Sequence, residues 1–269
     1  MPIIDVNNKK VHIQELNKGA KQTVVLIHGM FSNLSVYYFN IAPILAQHFH
    51  VVMYDLKSHG MSERILTGYD LNNMSTDLLD LMDYLQLEQV FLVGYSFGGL
   101  IALKTALLEP DRIQKLVIME APDPQDEKAR DIIEEYSKEF LEHYVANFTD
   151  TTKVKMGKRQ MEKNHRQYEF LFQQTSIKTD MVTEKHFLEN ISTAQLPIPT
   201  LLLYGADSNC RPTGEWLKEQ IDESTLELIP GDHNIPIQET DSYSRNHRSF
   251  FYQNLYQKLW LNMYSLFHL

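Results

Sequence analysis

Apolar residues along the chain collect in short, unbroken runs that alternate with longer stretches of helical spacing. The runs cover residues 23–27, 51–54, 90–93, 116–119 and 200–204, and the helical stretches cover residues 36–47, 74–85, 100–108 and 215–221. Runs without polar alternation are typical of parallel strands that are covered on both faces. Strands and helices in alternation predict right-handed crossovers and a doubly wound, mostly parallel α/β sheet. Functional groups of such sheets lie at the carboxyl ends of the strands.

The alternation stops between residues 123 and 196, where charged, methionine and aromatic residues predominate without a strand pattern. We interpret this stretch as an inserted helical cap. The predicted organisation is therefore an α/β core of residues 1–122 and 197–269 and a cap or lid of residues 123–196. The aromatic residues of such an insertion form its own small core or line a substrate wall that excludes water.

Composition narrows the range of functions. The 269 residues include 25 Lys and Arg against 35 Asp and Glu, and this net charge of −10 argues against binding to nucleic acid or an anionic membrane. Cys210 is the only cysteine, so an intramolecular disulfide and a metal cluster held by several cysteines are excluded. The sequence shows no leader-like or membrane-spanning apolar run. We expect a cytoplasmic protein that acts on a small molecule without a metal or cofactor.

The most informative motif is Gly-Tyr-Ser-Phe-Gly-Gly at residues 94–99, between an apolar run and a helical stretch. A Gly-x-Ser-x-Gly sequence in this context is typical of a nucleophile elbow, whose glycines permit a tight turn that exposes the serine hydroxyl. We predict that Ser96 is the nucleophile. The helix that follows aims its first amides at the same point, so the Phe97 amide is a predicted oxyanion donor.

A second loop, His-Gly-Met-Phe at residues 28–31, follows the first apolar run. Its Met30 amide is the expected partner of the Phe97 amide in the oxyanion hole, since a tetrahedral oxyanion needs two donors. His28 is expected to be structural, because the general base must reach the serine from an opposite loop. The apolar side chains of Phe31 and Tyr95 are candidates for substrate contact.

The general base is predicted from chain order and loop context. His233 lies in Gly-Asp-His-Asn-Ile-Pro at residues 231–236, directly after an apolar run at residues 226–229. A histidine on the loop after the last strand can take the hydroxyl proton of Ser96 and return it to the leaving group.

These motifs together resemble the α/β-hydrolase fold family, from residue 24 to residue 236, and residues 123–196 match the position of the family's cap. Residues 54–62, Tyr-Asp-Leu-Lys-Ser-His-Gly-Met-Ser, also resemble the family's Asp-x-Arg-Gly-x-Gly-x-Ser turn, with Lys57 and Ser58 as departures. That turn shapes a loop in the family and is not catalytic. The resemblance therefore implies a structural role for His59.

The resemblance leaves two candidates for the carboxylate that orients the base. The family most often places this acid in a Gly-x-x-Asp pattern after the penultimate strand. Here Gly-Ala-Asp-Ser at residues 205–208 puts Ser208 at that position and Asp207 one residue early. A branch of the family, including some haloalkane dehalogenases, carries the acid after an earlier strand, where this chain has Glu120. Glu120 and Asp207 both remain candidates at this point.

A serine at the elbow favours acyl transfer to water through an acyl-enzyme, and hence hydrolysis of an ester, thioester or lactone. Two alternatives stay open: C–C bond hydrolysis or lyase-like chemistry in which the Ser–His pair moves a proton, and non-catalytic binding on a hydrolase scaffold. Cys210 is not favoured as a nucleophile, because no base lies near it in the sequence. The candidate residues for docking an acidic carrier protein are Arg159, Lys163, His165 and Arg166.

Aromatic and apolar residues are concentrated after residue 243 in two rows of helical spacing. The first row comprises Phe251, Leu255, Leu259, Met263 and Leu266. The second row comprises Tyr252, Tyr256, Trp260 and Tyr264. The first row predicts a helix that covers the sheet. The second row either widens that buried stripe or forms the surface of a homodimer or another partner.

Overall fold

One sheet organises the molecule. The computed structural model describes residues 2–39, 41–126, 158–191, 196–233, 235, 263 and 266–267. The strands are β1 (Ile3–Val6), β2 (Lys9–Leu16), β3 (Thr23–Ile27), β4 (His50–Tyr54), β5 (Val90–Tyr95), β6 (Ile113–Met119), β7 (Thr200–Gly205) and β8 (Ser224–Ile229). Their order in the sheet is β1-β2-β4-β3-β5-β6-β7-β8. Strands β3 to β8 are parallel, and β2 is antiparallel to both of its neighbours.

Helices cover both faces of this sheet. They are α1 (Ser35–Tyr38), α2 (Ile41–Leu45), α3 (Leu71–Tyr84), α4 (Phe97–Leu108), α5 (Lys158–Gln174), α6 (Ile177–Thr183) and α7 (Arg211–Gln220). Short 3-10 turns lie at Pro110–Arg112 and Leu188–Asn190. Apolar residues of α1 and α2 pack in one buried layer, and those of α3, α4 and α7 pack in the other. The doubly wound, mostly parallel α/β arrangement predicted from the sequence is confirmed.

The two layers explain why the apolar runs lack alternation. In β3, Val24 and Leu26 belong to one buried layer, whereas Val25 and Ile27 belong to the other. All four side chains are at most 1% exposed, so both faces of the strand require apolar residues.

The first two strands form a hairpin that the apolar pattern does not indicate. Residues of β2 are only partly buried for most of its length, so polar side chains are tolerated there. The turn consists of Asn7 and Asn8, which have φ values of 49° and 63°. Two consecutive residues with positive φ are typical of the type I′ turns that join antiparallel strands.

The described part of residues 123–196 is helical, with α5 and α6 as its longer elements, and it contains no strand. Two carboxylates of this region bind backbone amides at the start of α3 and just before it. Asp180 accepts a hydrogen bond from the Tyr69 amide (2.7 Å), and Glu184 accepts one from the Leu71 amide (2.9 Å). The division into a core and a cap with the bounds given above stays a prediction.

Only three residues of the C-terminal segment are described. Met263 and Phe267 are buried in the layer that contains α1 and α2, and the Phe267 ring stacks on Phe91 at 4.7 Å between centroids. Leu266 packs against the same layer. The other members of both rows lie outside the described residues, so the homodimer or partner surface stays a prediction.

The described residues include only part of the chain that bears on carrier docking and on membrane spans. Of the four candidate carrier-docking residues, the side chain of Arg166 is described and exposed, and the other three side chains lie outside the description. None of the helices in the described ranges is both long enough and apolar enough to cross a membrane.

Candidate active site

Ser96 lies in a sharp turn between β5 and α4. Its φ of 54° and ψ of −122° cost a residue other than glycine on the order of 1–3 kcal/mol. The turn also requires glycine on both sides of the serine. A Cβ atom on Gly94 would lie 2.2 Å from the Gly98 oxygen, and one on Gly98 would lie 2.4 Å from the Ile27 oxygen. The motif read from the sequence therefore has the strained geometry of an elbow.

His233 approaches Ser96 from the loop that follows β8. Its Nε2 atom lies 3.1 Å from the Ser96 Oγ atom. The hydroxyl of Tyr95 donates a hydrogen bond to the His233 carbonyl (3.0 Å), so the last residue of β5 fixes this loop. Tyr95 is buried, and the sequence did not indicate this positioning role. Contact between Tyr95 and a substrate stays a prediction.

Glu120 lies on the other side of the imidazole. It follows β6 with a φ of 55°, and its side chain is fully buried. One carboxylate oxygen accepts a hydrogen bond from the Gly205 amide, and the other accepts one from the Ser208 hydroxyl. The latter oxygen also lies 3.2 Å from the His233 Nδ1 atom. A continuous chain of hydrogen bonds thus joins the serine, the imidazole and a buried carboxylate.

The two candidate acids are placed differently. Asp207 is exposed, and within the described part of the chain its carboxylate makes none of the hydrogen bonds around His233. Ser208, one residue later, is buried and holds the Glu120 carboxylate. The one-residue offset noted in the sequence therefore sends Asp207 to solvent and brings a hydroxyl to the site.

The cysteine has a neighbour that the sequence did not reveal. The Cys210 Sγ atom lies 3.4 Å from the His233 Nδ1 atom, although 23 residues separate them. Contrary to the expectation from the sequence, Cys210 therefore has a base beside it, because the loops after β7 and β8 meet at the same edge of the sheet. The Cys210 amide also donates to the Ser208 hydroxyl (3.0 Å).

These neighbours change the acid–base properties of His233. Burial by itself lowers the pKa of an imidazole, since it disfavours the charged form. Hydrogen bonds and charge interactions with Cys210 and Glu120 outweigh burial and raise the pKa of His233 above its ordinary value. The environment therefore favours the protonated, imidazolium form of this ring.

His28 and His59 both accept hydrogen bonds from backbone amides. The Nε2 atom of His28 accepts a hydrogen bond from the Leu56 amide (3.0 Å), and that of His59 accepts one from the Phe31 amide (3.3 Å). Burial lowers the pKa of both rings, to about 3 for His59, where the neighbouring His28 adds to the effect. Both rings are therefore neutral and occupied, which agrees with the structural roles expected from the sequence.

The predicted oxyanion donors lie on two segments that touch. A Cβ atom on Gly29 would lie 2.9 Å from the Ser96 Cβ atom, so the loop at residues 28–31 packs against the elbow. The Phe97 amide is the first of α4. Among the described residues, neither the Met30 nor the Phe97 amide donates to a protein oxygen. Their role as oxyanion donors stays a prediction.

An aromatic cluster lies beside these donors. The ring of Phe31 is 4.4 Å from that of Tyr168 and 5.3 Å from that of Phe172, and both of these residues belong to α5. Phe31 has a φ of 66° and is partly buried. The inserted helix thus contacts the residue that the sequence proposed for substrate contact.

One group of side chains at the site has the atoms of a metal-binding set. The ligand atoms of Glu120, Cys210 and His233 all lie within 4.8 Å of one another. No part of the sequence pattern indicated this grouping, because its members follow three different strands.

A family model described as alpha/beta hydrolase fold matches residues 22–240. An uncharacterized hydrolase of Bacillus subtilis is 30% identical over 115 residues, which is 42% of this chain and 42% of the Bacillus protein. The chain thus matches about two fifths of that relative's length.

Similar folds occur among solved structures. An enol-lactonase from Burkholderia xenovorans aligns with a TM-score of 0.67 and 19% identity, over 96% of this chain and 99% of the lactonase. A meta-cleavage product hydrolase from Pseudomonas fluorescens aligns with a TM-score of 0.70 and 22% identity, over 94% of this chain and 98% of the hydrolase. At these identities the likeness establishes the fold alone.

Proposed function

Because the chain belongs to the α/β-hydrolase fold family, we propose that it is a serine hydrolase that cleaves an ester or thioester of a small, partly apolar acyl compound. The observation that carries this proposal is the chain of hydrogen bonds from Ser96 through His233 to Glu120. A serine hydroxyl is a weak nucleophile unless a positioned base removes its proton. The 3.1 Å contact supports His233 as that base.

The reaction follows in two halves. The Ser96 oxygen attacks the substrate carbonyl carbon while its proton passes to Nε2 of His233, and the imidazolium then protonates the departing alkoxide or thiolate. Water attacks the resulting acyl-enzyme, gives its proton to His233, and Ser96 recovers its own. The Met30 and Phe97 amides bind the oxyanion of both tetrahedral intermediates.

Glu120 is the proposed acid. A carboxylate on Nδ1 keeps the imidazole in the tautomer whose Nε2 can accept a proton, and it stabilises the imidazolium. Full burial and two further hydrogen bonds fix the orientation of this carboxylate, which supports it over Asp207. Residues 123–196 act as a cap over the core of residues 1–122 and 197–269, and the contact of α5 with Phe31 supports an apolar acyl site there.

The test is intact-mass labelling with a fluorophosphonate probe, which reacts only with an activated serine. We expect one adduct on the wild-type protein and none on Ser96→Ala. The matched control is Ser35→Ala, which removes an exposed serine of α1 and should label like the wild type. A panel of acyl esters and thioesters of increasing chain length then identifies the preferred leaving atom and acyl group.

A second candidate is C–C bond hydrolysis, which stays open because the chain shares its fold with a meta-cleavage product hydrolase. In that reaction the Ser96–His233 pair would handle a proton of the carbon substrate. Turnover of a ring meta-cleavage product without turnover of esters or thioesters would support it. A folded wild-type protein that the probe does not label would contradict the acyl-enzyme proposal and favour proton transfer or non-catalytic binding.

A further inference from the structure

The contacts around His233 bring together three different metal-binding atoms. The His233 Nδ1 atom lies 3.2 Å from a Glu120 oxygen and 3.4 Å from the Cys210 sulfur. A tetrahedral zinc ion with ligand bonds of about 2.0–2.3 Å separates its ligand atoms by about 3.3–3.8 Å. Two of the three separations are therefore close to those of a formed site, and the third, between the Glu120 oxygen and the Cys210 sulfur, is within 4.8 Å.

The type and the exposure of the ligands also suit zinc. Thiolate, imidazole and carboxylate are all zinc ligands, whereas magnesium and calcium avoid sulfur. Glu120 is buried and accepts a hydrogen bond from the Gly205 amide, so the position of this ligand is fixed. Cys210 and His233 are partly exposed, which leaves a side from which an ion can enter. Three protein ligands leave the fourth position to water.

We propose that Glu120, Cys210 and His233 form a Zn²⁺ site that inhibits the enzyme. Binding releases the thiol proton and, where the ring is an imidazolium, one ring proton to solvent, and it leaves the metal on Nδ1 of a neutral imidazole. The single ring proton then resides on Nε2, which can no longer accept the proton of Ser96. The metal also takes the Glu120 carboxylate away from the ring. Occupancy rests on the geometry alone, whereas inhibition rests on the proposed function.

Binding is measured first and without substrate. Cobalt(II) substitutes for zinc in thiolate sites and gives a thiolate-to-metal charge-transfer absorption band. We expect one Co²⁺ per chain with this band in the wild type, and its displacement by Zn²⁺. In Cys210→Ala the band is absent and the Zn²⁺ affinity, measured by calorimetry, falls by more than about 100-fold, since even the outer partners of a ligand contribute about 10- to 100-fold.

A surface histidine provides the matched control. His186 is exposed and pairs with Glu189 at 2.7 Å, so it offers an imidazole and a carboxylate without a thiol. The variant His186→Asn should keep the wild-type cobalt band and Zn²⁺ affinity. A loss of affinity in His186→Asn equal to that in Cys210→Ala would assign the binding to surface histidines and overturn the proposed site.

Inhibition is measured as the rate of fluorophosphonate labelling, with each variant normalised to its own metal-free rate. Zn²⁺ should slow the labelling of the wild type, and a chelator should restore it. Cys210→Ala should need at least about tenfold more Zn²⁺ for the same effect. Equal Zn²⁺ affinities of wild type and Cys210→Ala would overturn the site. A cobalt–thiolate band on a protein that the probe never labels would support the site and contradict the proposed function.

Discussion

Among the residues that the structure describes, two buried carboxylates each contact a histidine Nδ1 atom, and one of these pairs lies at the candidate active site. Asp55 lies 2.6 Å from His12, in the turn after β4, and Glu120 lies 3.2 Å from His233. Judged by the carboxylate contact alone, the His12 pair is the closer. A histidine–carboxylate pair is therefore not by itself a sign of catalysis.

The second ring nitrogen separates the two pairs. The Nε2 atom of His233 meets the hydroxyl of Ser96, and its side chain is 33% exposed. The Nε2 atom of His12 has no hydrogen-bond partner among the described residues, and its side chain is 4% exposed. The His233 ring therefore contacts both a hydroxyl and solvent, whereas the His12 ring is enclosed by protein.

The carboxylates differ in what else they hold. Asp55 accepts hydrogen bonds from the Leu34 and Met61 amides (2.8 and 2.9 Å) and so ties two loops together. The Glu120 carboxylate accepts its other hydrogen bonds from the Gly205 amide and the Ser208 hydroxyl, and these bonds fix its orientation at the site. We therefore expect damage to the first pair to reduce stability and damage to the second to reduce activity.

The largest expected effect is that of Glu120→Gln on turnover. The amide cannot hold the imidazole in the required tautomer or stabilise the imidazolium, so kcat should fall by about 10³- to 10⁴-fold. The measurement is steady-state kinetics on the best ester or thioester, with circular dichroism to verify folding. Asp207→Asn removes an exposed carboxylate and should stay near the wild type. The reverse order of the two variants would make Asp207 the acid.

The matching change in the other pair is Asp55→Asn, for which we expect the reverse outcome. The new amide group faces a donor and leaves at least one buried hydrogen bond unmade, so the free energy of unfolding should fall by about 2–4 kcal/mol. The value of kcat per folded molecule should stay within a few-fold of the wild type. Denaturant unfolding measures the first quantity. An Asp55→Asn protein of full stability that lacks activity would contradict the separation of the two pairs.

The elbow and the parallel strands were predictable from the sequence, because local residue patterns determine both. The glycines around Ser96 identify the elbow, because only glycine tolerates the close backbone contacts at positions 94 and 98. The apolar runs identify the parallel strands, because both of their faces are buried. The hairpin of β1 and β2 escaped this pattern, and the sequence signal for it was the Asn7-Asn8 turn.

The sequence left Glu120 and Asp207 open as the acid, because the choice between them depends on how far apart the ends of different strands lie. The positive φ of Glu120 turns its side chain towards the loops after β7 and β8, and no residue pattern specifies that angle. The proximity of Cys210 to His233 was hidden for the same reason. Distance along the chain indicates neither contact, because the residues that meet follow different strands of the sheet.

The smallest expected effect is that of Ser208→Ala, which tests how far Glu120 depends on its support. The substitution removes the hydroxyl that donates to the carboxylate and accepts from the Cys210 amide (3.0 Å), while the carboxylate keeps its bond to the Gly205 amide. The loss of one such bond costs about 1 kcal/mol, so kcat should fall about five- to tenfold with KM nearly unchanged. Ser224→Ala is the matched control, since it also removes a buried serine hydroxyl, one that donates to the Ile221 carbonyl away from the site (2.5 Å). Equal kcat values for the two variants would mean that burial and the Gly205 amide suffice to orient the carboxylate, and that Ser208 merely fills the position that an aspartate usually occupies.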